Sequence, residues 1–245
     1  MIDFNEHAKI LNGSKNYSVL SRIKHTAKFL PDDDKPKRKC LLVDVETTGL
    51  DPKLDVIIEL GCILFEYGLD GTIYRILDEY NGLEDPQRPI SAEITKLTGI
   101  TDDDVKGQCL DTETIENLIS QADIVIAHNA SFDRPMLEKR FDQFAQKPWG
   151  CSVNCINWQE EGISSAKLDY ILFKLGKFHD GHRAVEDCHA TLFVLRSELP
   201  VSHSLVMAQI LEKARRPDLR IFAINAAYEV KDELKARGYK WSDGS

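Results

Sequence analysis

The chain has 245 residues, with 31 Lys plus Arg against 40 Asp plus Glu and a formal net charge of −9. That length buries a sizeable core and holds one domain with appendages, and an acidic chain gains little from counterion release on a phosphate backbone. No apolar run approaches the ~20 residues of a membrane span and Met1 is not followed by a secretory pattern, so a cytoplasmic protein with no membrane partner is expected. Six cysteines fit a reducing compartment better than a disulfide framework.

Residues 1–39 read as an N-terminal extension, with an amphipathic, helical stretch around Tyr17 to Leu30 and then a linker from Pro31 to Lys39. Residues 1–40 carry a net +4 and residues 201–245 a net +2, against −15 for residues 41–200. The flanks are therefore the candidates for substrate grip, although a solvated charged tail reads equally well from the same residues.

Leu41-Leu42-Val43-Asp44-Val45-Glu46 reads as part of a strand over 40–46, closed by the turn residues Thr47-Thr48-Gly49-Leu50-Asp51-Pro52. Side chains alternate along a strand, so Asp44 and Glu46 share one face and Val43 and Val45 the other. A single Asp-x-Glu is more often a solvated strand edge than a metal site. Here two carboxylates end a buried-looking strand and repel one another, and a cation is the usual remedy.

Strands are expected over 56–67 and 72–79, helices near 91–98 and 112–121, and a strand over 123–128 whose continuous apolar run suits a central position. The string His128-Asn129-Ala130-Ser131-Phe132-Asp133 follows. Ser131 is expected to cap a helix over 131–146 that turns Phe132, Met136, Leu137 and Phe141 inward, with Pro135 tolerated near its start. Asp133 then falls in the first turn, where helix capping is the plain alternative to a ligand role.

A short strand near 150–154 and a helix over 167–175 precede the third string, His182-Arg183-Ala184-Val185-Glu186-Asp187. On a helix over 183–198, Asp187 joins the inward stripe of Ala184, Cys188, Thr191 and Leu195 with no obvious Lys or Arg partner, so it needs a cation or a raised pKa. His182 lies roughly 140° away on an ideal helix and is placed in the connection after Gly181. Beyond residue 200, a strand from Leu219 to Ile224, a helix from Glu229 to Arg237 stopped by Gly238, and a strand through Tyr239 and Trp241 predict a small C-terminal module over 201–245. Its aromatics, interleaved with Lys235, Arg237 and Lys240, either stack bases or form the module's own core.

Four carboxylates and an imidazole are the inventory needed to hold two hard divalent cations and hydrolyse a phosphodiester. In this order and context the three strings resemble motifs I, II and III of the DEDDh branch of the DnaQ-like 3′–5′ exonucleases, which includes the bacterial polymerase proofreading epsilon subunit and RNase T. The resemblance covers roughly residues 40 to 199, and Thr47-Thr48-Gly49-Leu50 fits the residues that follow motif I. It implies an α/β exonuclease domain over 40–200, a ribonuclease-H-like mixed five-stranded sheet flanked by helices. It also implies two Mg²⁺ or Mn²⁺ ions held by Asp44, Glu46, Asp133 and Asp187, with His182 as general base. One ion would sit on Asp44, Glu46 and Asp187, and the second near Asp44 and Asp133. Thr47, Leu50 and Phe132 would contact the terminal nucleotide, with Thr48, Gly49, His128 and Asn129 beside them. The segment from Ser91 to Thr101, with Glu93, Leu97 and Thr98, would cradle it; many proofreading members carry His where Thr98 stands.

The implied activity is release of nucleoside 5′-monophosphates from the 3′ end of single-stranded DNA. Expected partners are a nucleic acid with a free 3′ end and a DNA polymerase or another replication or repair protein. The alternatives are an RNA 3′-end trimming exoribonuclease and, from another class, a non-catalytic nucleic-acid or polymerase-docking module, against which five intact site residues argue.

Overall fold

Apolar residues alternate or run continuously through five strands, and these assemble into one mixed sheet in the computed structural model, which describes residues 3–216 and 223–239. The strands are β1 (Ser21–Arg22), β2 (Lys37–Thr47), β3 (Ile57–Gly68), β4 (Ile73–Leu83), β5 (Ile124–Ala127), β6 (Trp149–Cys151) and β7 (Lys177–Phe178). The helices are α1 (Phe4–Asn12), α2 (Ala92–Thr98), α3 (Asp102–Val105), α4 (Thr112–Gln121), α5 (Ala130–Arg140), α6 (Leu168–Lys174), α7 (Ala184–Arg196), α8 (Val206–Ala214) and α9 (Lys231–Ala236). The sheet order is β4-β3-β2-β5-β6, antiparallel among β2, β3 and β4 and parallel from β2 to β5 to β6. This is the ribonuclease-H-like arrangement expected from three consecutive strands followed by helix–strand alternation.

Strand β2 is central, and its alternation sorts its side chains between two cores. Cys40 and Leu42 pack with Ile63 and Phe65 beneath the helices that supply Ala190 and Ile210, whereas Leu41, Val43 and Val45 pack with Leu118, Ile119 and Leu137. Asp44 and Glu46 continue the line of Cys40 and Leu42, so they arrive on the α7 face.

Several elements depart from the expectations. The extension is not helical from Tyr17 to Leu30. Its helix is α1, which buries no residue, and the later stretch is extended, with β1 paired in parallel to β7. A helix would set Ile23 and Phe29 ~120° apart, whereas the extended chain brings both inward. Helix α5 ends at Arg140 because Phe141 is extended, and a 3-10 turn spans Asp142–Gln146. Its N-cap is Asn129, in the left-handed region with φ 68°, and Ser131 instead donates to Asn129 Oδ1 at 2.8 Å. Pro135 lies inside the helix rather than in its first turn.

Helix α3, closed by a capping box between Thr101 and Asp104, is too short to carry a period. Helix α8 buries Val206, Met207, Ile210 and Leu211 in the main core, so the first compact unit runs through Arg215 rather than ending near residue 200. In the second unit, Arg216–Ser245, a 3-10 turn over Tyr228–Val230 leads into α9, and Gly238 follows at φ 87°. The expected strand from Leu219 to Ile224 falls mostly outside the described residues, as do Lys240 and Trp241. No helix among the described residues is long and apolar enough to cross a membrane.

Gly61 on β3 stands opposite Asp44, and a Cβ there would lie 2.5 Å from backbone atoms of Ala184 and Val185. Only a bare α-carbon lets the start of α7 lie this close to the sheet. Gly61→Ala should push the helix away and cost ~1–3 kcal/mol, the usual range for overpacking; a urea midpoint equal to that of the parent would contradict this.

Candidate functional site

The end of β2 presents Asp44 and Glu46 where the ladder with β3 slips at a bulge between Glu46 and Thr47. Bulges of this kind re-aim side chains at sheet ends. Asp133, in the first turn of α5 and buried, comes from the other face; its Oδ1 accepts the Val45 N–H at 3.2 Å, which ties helix to strand. Asp187, in the first turn of α7, closes the group from the near face. Glu46, His182 and Asp187 offer ligand atoms that all lie within 4.8 Å of one another; Asp44 and Asp133 stand outside that triplet.

The electrostatics follow from crowding. Asp44 is held well above the usual carboxylate range by loss of water and then by Asp133, Asp187, Glu46 and Glu59. Burial, then Asp187 and Glu59, push Glu46 up to about 7. Burial raises Asp133 to about 8 against the opposing hydrogen bond from Val45. These are hard oxygen donors, too close to ionise together without a counter-charge, and they fit a divalent cation.

Two residues that the sequence reading missed, Glu59 and His179, build the frame. Glu59, fully buried, lies directly across the ladder from Glu46. It is satisfied by the Arg183 guanidinium at 2.8 Å, the Ala184 N–H at 3.1 Å and the Asn81 amide at 3.1 Å. A charge inside Ile57-Ile58-Glu59-Leu60 was the available signal. His179, only 2% exposed at its side chain, bonds through Nε2 to Asp187 Oδ1 at 2.6 Å. Burial lowers its pKa, but the bond and charge of Asp187 outweigh that and the net shift is upward. Its Nδ1 has no hydrogen bond and faces the Asp169 carboxylate at 3.3 Å. His182 lies in the connection before α7, as expected, exposed and at φ 68°, and its own N–H donates to Asp187 Oδ2 at 3.0 Å.

The other expected contacts divide into available and committed groups. Leu50 (81% exposed) and Leu97 (51% exposed) present apolar surface, and Glu93 shares the exposed face of α2 with Leu97. Thr47 is buried and donates to Gly49 O, while Thr48 donates to Asp55 Oδ1 at 2.9 Å. A side chain at Gly49 would collide with the Asp55 carboxylate. Thr98 is buried and spent on ending α2, donating to Ile94 O and accepting from Ile100 N–H. His128 bonds Ser152 Oγ at 2.7 Å, and burial lowers it to about 4. Asn129 is exposed, and Phe132 packs against the core beneath it.

A carboxylate whose pKa is raised by folding binds more protons folded than unfolded, so stability falls as pH climbs from the unfolded pKa of ~4 through the folded values near 7 and 8. A cation bound there reverses that loss. The rise in melting temperature on adding Mg²⁺ or Mn²⁺ should therefore be larger at about pH 8 than at about pH 5.5. Comparing the increment cancels groups remote from the site. An increment that is equal at both pH values would contradict the reading.

Residues 41–195 match the family model described as Exonuclease, of the RNase T type. The chain is 28% identical over 194 residues to the PolC-type DNA polymerase III of Thermotoga maritima, a match covering 73% of this chain and 13% of that protein. It is 31% identical over 163 residues to the Bacillus subtilis PolC-type enzyme, covering 63% of this chain and 11% of the relative. The chain thus corresponds to a small part of these polymerases. Among solved structures, E. coli Exonuclease I in complex with a dT13 oligonucleotide shares the fold, with a TM-score of 0.54 at 18% identity over 65% of this chain and 40% of that one. With the matched segment spanning all three site strings, the chain belongs to the Exonuclease family.

Proposed function

We propose that the protein is a divalent-metal-dependent 3′–5′ exonuclease that removes nucleoside 5′-monophosphates from the free 3′ end of single-stranded DNA. The observation that carries this is the convergence of Glu46, His182 and Asp187 within 4.8 Å, beside Asp44 and Asp133. The PolC-type relatives hold the matched region inside much longer DNA polymerases, which supports DNA as substrate and a polymerase or repair protein as partner. The buried, reduced thiols of Cys40, Cys62 and Cys188 suit a cytoplasmic setting.

Asp44, Glu46, Asp133 and Asp187 would hold Mg²⁺ or Mn²⁺, which when bound supplies charge that polarises the phosphodiester and favours deprotonation of the attacking water. His182, exposed and at the rim of the carboxylates, takes the proton from that water. Its bond through the backbone N–H to Asp187 leaves both ring nitrogens available. Leu50 and Leu97 offer apolar faces to the terminal base and sugar. The Thr47–Leu50 turn, braced by Asp55, follows Glu46 directly and would limit the room for a strand to continue past the carboxylates.

His182→Ala should lower turnover on the order of 10²–10⁴-fold, the usual contribution of a general base, while keeping metal-dependent stabilisation. Wild-type turnover in that variant would remove His182 from the chemistry. A linear single strand should be degraded from its 3′ end to mononucleotides and a closed circle should persist. The DNA reading is overturned if a matched RNA oligomer is consumed faster than the DNA, and the exonuclease reading if the circle is cut at a comparable rate.

A further inference from the structure

We propose that the N-terminal strap from Ser21 to Phe29, which lies outside the matched residues 41–195, is a positioning element of the active site, fixing the segment that carries His179 and His182. This rests on the exonuclease reading above and extends it to residues that no resemblance assigns.

The segment from Lys177 to Arg183 needs support from outside the sheet. Strand β7 belongs to no part of the five-stranded sheet, and its strand partner is β1. Downstream, His182 adopts φ 68°, a left-handed conformation that a non-glycine side chain keeps only where its surroundings over-determine it. One side of that frame is already described: Glu59 holds Arg183 and the Ala184 N–H, and Asp187 accepts from His182 and bonds His179.

The strap is the other side. Ser21 N–H donates to Gly176 O and Ile23 N–H to Phe178 O, each at 3.0 Å. Between them Arg22 pairs with Asp180, two residues before His182, and stands 4.8 Å over the Phe178 ring. Lys177 Nζ returns a bond to Ser21 Oγ at 2.8 Å. Ile23, 6% exposed, pins the strap to the main core. Farther along, His25 reaches Glu186 at 3.1 Å, the neighbour of Asp187, and Phe29 N–H donates to Tyr74 O at 2.9 Å. The Arg22–Asp180 pair is exposed on both sides and adds little by itself, so the backbone pairing and the Ile23 anchor dominate.

The same pairing explains why the extension is extended rather than helical. A helix would satisfy its own backbone and leave Gly176 and Phe178 carbonyls at the site's edge without these donors.

The test uses the full chain. Ser21→Pro deletes the donor to Gly176 O at an exposed position, so the core keeps its packing. Its turnover should fall about tenfold, within the ~100-fold that an ångström of misplacement costs, with KM for a short oligomer changed by less than about twofold. The same substitution on a His182→Ala background should cost nothing further. Amide exchange should quicken across 177–183 and stay unchanged in β2, β3 and β5. Wild-type turnover in Ser21→Pro, an equal further loss on the His182→Ala background, or faster exchange spread through the sheet would each overturn the proposal. A parent protein with no exonuclease activity would overturn the proposed function instead, and the exchange pattern would still decide whether the strap holds the segment.

Discussion

Carboxylates crowded at the end of a central strand repel one another, and most of the architecture near them exists to keep them together despite that. Asp44 and Glu46 cannot move apart because they lie two residues apart on one strand, which is paired with β3 along both positions and anchored by β5 just before them, at Cys40 to Leu42. Asp133 is tied to Val45 N–H, and Asp187 is tied to His179 and His182 N–H. Each tie fixes a carboxylate oxygen near other negative charge, where water alone compensates poorly. A divalent cation of the kind proposed above would relieve that repulsion, and the ties hold hard oxygen donors together for it.

Glu59 adds a fifth carboxylate directly across from Glu46, and like charges facing each other across a ladder are destabilising. Its solution is local: Arg183, Ala184 N–H and Asn81 saturate its oxygens. That neutralised pair also pins the first residues of α7, while Gly61 two positions along β3 allows the helix backbone to touch the sheet. The negative charge of residues 41–200 is thus not uniformly free to repel a phosphate backbone. Some of it is consumed inside the frame, where the half-exposed Arg183 guanidinium is spent on Glu59.

Elements whose burial is periodic were legible in the sequence. The strand holding Asp44 and Glu46, the apolar run before His128 and the stripe that carries Asp187 all follow from alternation or helical spacing, and their bounds shift by only a few residues. What escaped was decided by tertiary contact. Nothing local distinguishes His179 from His182 as the residue that meets Asp187; geometry assigns His179 the side-chain bond and His182 the backbone one. Thr98 and His128 lie in the right strings, yet their hydrogen bonds go to Ile94, Ile100 and Ser152, partners that no motif names. The extension misled because apolar residues spread between Tyr17 and Leu30 read as an amphipathic stretch, whereas the carbonyls that accept from Ile23 N–H and Phe29 N–H lie on segments more than 40 residues away. Helix α8 was readable from Val206, Met207, Ile210 and Leu211, and was hidden by assigning everything past residue 200 to a separate module.

The site therefore joins parts of unequal rigidity. Asp44, Glu46 and Asp133 sit on the sheet and on a helix bonded to it, whose opening requires disrupting the core. His182 sits on a connection held by a two-residue parallel pairing, an ion pair buried only on its Glu59 side and one backbone bond. A metal platform gains from rigidity because ligand distances tolerate little error. A proton acceptor at the mouth of the site must instead admit and release a nucleotide at each turnover, and a segment with few buried contacts opens at lower cost. On the proposed function, a division between sheet-borne ligands and a loop-borne base would answer these two demands, and the connection before α7 is where the strap's hydrogen bonds act.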